Sequence, residues 1–194
     1  MTAPDDVIAF WFGHDLVPSQ AIVRRWFTRD AAFDTEVRRK FGYLLDDVDE
    51  LAVTWRGTPH AELALIVVVD QFARNVHRDD ARAYLHDPLA LEVARELLLT
   101  DRARQLGFHQ RMVALLPLEH AEDRDAQVEC VYAFTQLVEE ARSKGAQGLE
   151  LLERGFEFAK QHAATIERFG RFPHRNKLLG RASTPEELAF VGGR

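Results

Sequence analysis

The residues with the least typical chemistry lie near the C-terminus, in Phe169-Gly170-Arg171-Phe172-Pro173-His174-Arg175-Asn176 and on through Lys177 to Arg181. From Arg168 to Arg181 there are five Lys/Arg residues, one histidine and no acid, in a chain of net charge −6. A positive island on an acidic protein needs an anionic counterpart, either a ligand or internal carboxylates. The planar arginine fork pairs bidentately with carboxylate or phosphate and suits both roles. Three other clusters put polar groups on apolar helices. Asp70, Gln71, Arg74 and Asn75, followed by His77 and Arg78, end a very apolar stretch. Four-residue spacing places Asp70 with Arg74, and Gln71 with Asn75, on shared helix faces. Glu119-His120-Ala121-Glu122-Asp123, with Gln127, reads as a helix start, where carboxylates favour the positive end of the dipole. His162 interrupts the stripe Ala159, Ala163, Ile166, Phe169. Burying such groups is costly unless they are paired.

Two chemistries follow from these residue types. As a ligand site, Arg171, Arg175, Arg181 and Arg74 would hold a phosphate or carboxylate. Trp26, Phe72 and Phe172 would wall the pocket, and Asp70, Gln71, Asn75, Gln127, His162 and Asn176 would add polar lining. His120 or His174 is then the candidate acid/base, oriented by Glu122 or Asp70. As a structural device, the same carboxylates and arginines would neutralise one another and fix helix packing. No Gly-x-x-x-x-Gly-Lys-Ser/Thr or Gly-x-Gly-x-x-Gly loop is present, so those nucleotide-binding routes are unsupported. His120-x-Glu122 lacks the Pro-Cys-x-x-Cys of a zinc deaminase. His120, Glu122, His162 and His174 are metal-ligating types, but their spacing carries no metal signature, and neither metal nor cofactor is assigned. Cys130, mid-helix among apolar residues, reads as a packed thiol.

The elements that position these groups read as helices. Pro4 to Phe12 is a short helix stopped by Gly13. A second short piece leads into Trp26-Phe27. Asp30 caps a longer one carrying Phe33, Val37, Phe41, Leu44, Leu45 and Val48 at three- and four-residue spacing. Thr58-Pro59 starts a helix apolar all round, through Leu63 to Val69, which marks it as central. Asp87-Pro88 repeats the cap-plus-proline device before Leu89 to Asp101. Phe108 to Leu116 stops at Pro117. Asp123 to Arg142 has Val128, Val131, Tyr132, Thr135, Leu137 and Val138 as its inner side. Leu149 to Phe169 is ended by Gly170, and Thr184 with Glu187 forms a capping box for a last helix. No segment alternates as a strand does. The expectation is a single all-α domain over residues 1–194, of eight to ten helices.

The composition, 46% apolar and 29% charged, is that of a globular domain with a sizeable core. Its acidic balance argues against nucleic-acid and membrane-surface binding. The acidic N-terminus has no long apolar run behind it, and one cysteine fits a reducing compartment, so a cytoplasmic location is expected.

Asp70-Gln71-Phe72-x-Arg74-Asn75 and the Phe169 to Asn176 run, with Leu179-Gly180-Arg181 and Ser183-Thr184-Pro185-Glu186-Glu187, resemble a largely bacterial family, domain of unknown function 924. Phe10-Trp11-Phe12-Gly13, Trp26-Phe27, Asp87-Pro88 and Glu119-His120-x-Glu122-Asp123-x-x-x-Gln127 share the resemblance. It implies a helical array similar to tetratricopeptide-repeat proteins, and no established activity. The family pattern usually has serine after the histidine; here that residue is Ala121. The expected function is binding of a small anionic molecule, with hydrolase-type acid/base chemistry as an open extension. The alternatives are a helical module taking an acidic peptide, and a non-catalytic protein with an internal ion-pair network.

Overall fold

The computed structural model describes residues 2–15 and 17–193. Among them there are ten helices and no strand. They are α1 (Pro4–Phe12), α2 (Gln20–Phe27), α3 (Ala31–Phe41), α4 (Val48–Thr54), α5 (59–76), α6 (Asp87–Leu99), α7 (108–120), α8 (Arg124–Ser143), α9 (Leu149–Phe169) and α10 (Pro185–Gly192). No helix is long and apolar enough to cross a membrane among the described residues.

The centre is α5. Leu63 to Val69 are all 0% exposed, as an all-round apolar helix requires. It packs against α1, α3, α6 and α7. Thr58 caps it through the Ala61 N–H, with Pro59 in its first turn. Its middle, Val67–Phe72, is a π-helical turn between Pro59–Ile66 and Ala73–Val76. Such turns add a residue to the helix and re-aim the side chains that follow. They separate Gln71 from Asn75: Gln71 turns to Asp70, whereas Asn75 donates to Asp34 on α3 at 2.7 Å.

The second half is the long pair α8 and α9, joined by a short loop and closed by α7. Gly148 heads α9 at φ +70, and a Cβ there would lie 2.8 Å from Val17 and 2.9 Å from His109. Only glycine meets both demands.

Several expectations change. The stripe from Phe33 to Val48 is not one helix; α3 ends at Phe41, and a 3-10 turn, Gly42–Leu45, redirects the chain into α4. Pro117 does not end α7. It sits in the first turn of Leu116–His120, where its missing N–H costs nothing. Glu119 and His120 therefore lie at a helix C-terminus, and Asp123 alone caps α8, accepting from Ala126 at 2.7 Å. The inner face of α8 is Ala126, Gln127, Cys130, Phe134, Leu137, Val138 and Ala141, while Val128 and Tyr132 face outward. Asp87 makes no side-chain cap on α6; it is drawn to two arginines.

Candidate functional site

Three elements meet around Asp70. The π-helical turn of α5 supplies Asp70 and Gln71, the end of α7 supplies Glu119 and His120, and the loop after α9 supplies Arg175. Asp70 is fully buried. His120 Nδ1 lies 2.9 Å from its Oδ1 and 3.0 Å from its Oδ2. Gln71 Nε2 donates to Oδ2 at 2.6 Å, and Arg74 Nη1 stands 3.0 Å from Oδ1. Arg74 also reaches Asp87 at 3.0 Å, and Arg175 bonds the same carboxylate at 3.2 Å and the His120 carbonyl at 3.0 Å. Two cations and two carboxylates thus form one compact, balanced cluster.

The electrostatics set the protonation. Burial works against charge on Asp70, but Arg74, His120 and Gln71 together outweigh it and hold its carboxyl well below the usual range. Burial, reinforced by Arg74 and Arg175, outweighs Asp70 at His120 and holds that imidazole below its ordinary value. A neutral His120 beside a carboxylate carries its proton on Nδ1 and leaves Nε2 as the acceptor. Glu119 is 5% exposed; burial, then the charge of Asp70, pushes its carboxyl up to about 8. Its Oε1 is 3.1 Å from His162 Nδ1, which also donates to the Phe158 carbonyl at 2.9 Å.

Two clefts share this cluster. One, of about 420 Å³, is walled by Trp11, Trp26, Phe27, Leu116 and Phe158 and floored by Gln71, Glu119 and His120. The other, of about 290 Å³, is lined by Arg29, Arg78, Tyr84, His174 and Arg175. Arg74, His120 and His162 line both. A larger groove of about 910 Å³ runs beside Leu99, Arg111 and Tyr132, but it holds none of the candidate groups, and its Asp101, Glu129 and Glu140 are paired with Arg104, Arg95 and Arg111. The candidate groups are therefore found at the smaller clefts. Among the described residues no group of three or more His, Cys, Asp or Glu is placed to hold a metal ion.

The family described as bacterial protein of unknown function (DUF924) matches residues 7–193. The chain belongs to this family. A solved structure of a protein of unknown function from Agrobacterium tumefaciens is similar at a TM-score of 0.77 and 30% identity, covering 98% of this chain and 97% of that one. No curated protein matches the chain.

In this DUF924 protein the residues singled out from sequence divide into two groups. Asp70, Gln71, Arg74, His120, His162, His174, Arg175 and Trp26 are brought to the paired clefts. The others are occupied elsewhere. Phe72 is fully buried against Phe10, Trp11 and Phe41, in the core and not a pocket wall. Phe172, also buried, backs the site, its ring 5.3 Å from His162 and under the Arg175 guanidinium at 4.6 Å. Asn75 belongs to a separate Asp34–Arg78 cluster. Gln127 gives its amide to the carbonyls of Leu118, Glu119 and Ala121. Glu122 is bound by Arg181 at 2.5 Å and by the Phe172 N–H at 2.7 Å, so it fastens the C-terminal segment and lines neither cleft. Arg171 pairs with Glu187 at 2.7 Å, and Asn176 bonds Ser183 at 3.0 Å. Ala121, where serine is usual in the resemblance, offers no hydroxyl beside His120.

Asp87, Tyr84, Trp11, Arg154 and Phe158 join the site unannounced. Asp87 was masked by its Asp-Pro cap signal. The others sit in ordinary helical contexts, where only the fold shows what they face.

Proposed function

We propose that the cleft at His120 binds a small anionic molecule and that His120, held by Asp70, acts on it as a general base in a hydrolase-type reaction. The observation that carries this reading is the hold of both Asp70 oxygens on His120 Nδ1, which leaves the opposite edge of the ring on the clefts. A buried aspartate fixes the tautomer and stabilises the imidazolium that forms when Nε2 takes a proton. With alanine at 121, the proton comes from water or from the substrate itself. Glu119, its carboxyl raised to about 8, stands at the floor of the same cleft as a neutral acid near pH 7.

The test is turnover of a p-nitrophenyl panel carrying carboxylate esters and phosphate esters, with titration calorimetry on the unreactive amides and phosphonates. Release of p-nitrophenolate that is lost in His120→Asn supports the reading. No turnover and no binding across the panel overturns it.

A second reading has its own observation. Arg168, Arg171, Arg175 and Arg181 each meet a carboxylate: Glu186, Glu187, Asp87 and Glu122. This favours a structural role for most of the arginine segment, whatever the cleft does.

A further inference from the structure

The pairing of the motif arginines leaves the question of what would recognise an anion. Five arginines line the two clefts: Arg29, Arg74, Arg78, Arg154 and Arg175. Four of them are committed. Arg29 pairs with Asp79, Arg78 with Asp34, Arg74 with Asp70 and Asp87, and Arg175 with Asp87. Arg175 Nε is moreover buried, with no partner among the described residues. Arg154 alone among these five has no carboxylate and no hydrogen-bond acceptor among the described residues. It stands exposed on α9, its guanidinium 5.6 Å from the centres of both the Phe27 and the Phe158 rings. Contact with ring faces leaves the guanidinium N–H donors available, since they lie in its plane.

A second atom in the same cleft points to a ligand. Trp11 is 3% exposed and lines the cleft, yet its buried Nε1 donor has no partner among the described residues. Its neighbour Trp26 does not supply one: Trp26 Nε1 donates to the Trp11 carbonyl at 3.1 Å, and the two rings stack 5.9 Å apart. A buried unsatisfied N–H is costly and calls for an acceptor.

We infer that the cleft takes an aromatic or similarly flat apolar molecule bearing one carboxylate, with Arg154 binding the carboxylate, the Trp26–Phe27–Phe158 wall covering the apolar body, and the Trp11 N–H receiving a polar acceptor near His120. This rests on the proposed ligand-binding reading and moves its anion subsite from the arginine motif to Arg154. One negative charge fits better than two. The Arg74–Arg175–Asp70–Asp87 cluster is already balanced, so only Arg154 is left to neutralise the ligand.

The experiment is titration calorimetry with phenylacetate, 3-phenylpropanoate and 4-phenylbutanoate, their primary amides, and inorganic phosphate, on wild type, Arg154→Ala, Arg154→Lys and Trp26→Ala. The carboxylates should bind wild type more tightly than their amides or phosphate. Arg154→Ala should lower carboxylate affinity about tenfold or more while leaving amide affinity unchanged, and lysine should recover part of it. Arg154 is exposed, so the melting temperature should hold in both variants. Equal binding of carboxylates to wild type and Arg154→Ala, with loss in Trp26→Ala, overturns the Arg154 assignment and leaves the cleft reading standing. No binding of any probe to wild type overturns both.

Discussion

At the scale of single residues, Asp70 performs two tasks that substitution separates. It orients His120, and it compensates Arg74, whose guanidinium is largely buried. Removing its charge by Asp70→Asn leaves a buried guanidinium underpaired, which costs about 3–5 kcal/mol in other proteins. His120→Asn removes only the base and keeps a donor for Asp70, so its expected cost is about 1–2 kcal/mol. Urea unfolding of the two variants, with turnover measured in parallel, should show both inactive but only the first strongly destabilised. Equal destabilisation would mean that His120 is a packing residue. At this scale the sequence was half legible. Asp70, Arg74 and His120 stand out because ionisable groups on apolar helices must be explained. Arg154 does not, because an arginine on a polar helix face looks the same whether or not two phenyl rings aim it at a cleft.

At the scale of elements, the site depends on where α7 ends. Gln127 on α8 gathers three carbonyls of that end, at 3.1, 2.8 and 2.8 Å, and so sets the positions of Glu119 and His120. Gln127→Leu keeps the volume and removes the donor. It should cost about 1–3 kcal/mol and weaken binding at the cleft, although residue 127 lines neither cleft. Arg181 and Glu122 fasten the C-terminal segment instead. A double-mutant cycle of Arg181→Met and Glu122→Gln should give a coupling of about 0.5–3 kcal/mol in stability and none in ligand affinity. A ligand-affinity coupling of the same size would return Glu122 to the list of functional groups. Helix existence was legible from caps and prolines, including Thr58-Pro59, Asp30 and the Thr184–Glu187 box. Phase and termini were less so. On α8, Val128 and Tyr132 are apolar enough to imitate a core face, and Gln127 is polar enough to hide one. On α5 the π-helical turn shifts the register in a way that no spacing rule anticipates.

At the scale of the whole molecule, two opposed sets of carboxyls should shape stability against pH. Asp34, Asp70, Glu122 and Glu187 are each held below their usual values; burial opposes this at all four, most at the first three, but arginine and hydrogen-bond partners outweigh it. Groups with depressed folded-state values contribute stability that is present above their unfolded values and lost as pH falls through the folded ones. They produce an acid limb, below the ordinary carboxylate range. Glu119 runs the other way. Its folded carboxyl, raised from 4.5 to about 8, keeps a proton that the unfolded chain has released. Between those values the folded state binds more protons, so stability falls as pH rises and levels off once Glu119 ionises in both states. The maximum should therefore lie on the acid side of neutrality, near the lower end of that window. Urea unfolding from pH 2 to pH 9 should show both limbs in wild type. Glu119→Gln, which has no proton to release, should lose the alkaline limb and keep the acid one. Its advantage over wild type should grow from pH 5 to pH 8 by up to about 4 kcal/mol, the value of a three-unit interval. The same variant separates structure from chemistry. If Glu119 is the neutral acid of the cleft, the glutamine variant will be more stable than wild type at pH 8 and less active at pH 7. A glutamine variant that follows the wild-type stability profile would show that Glu119 is ionised across the range, through a charged His162 beside it, and would remove it from the proposed acid role.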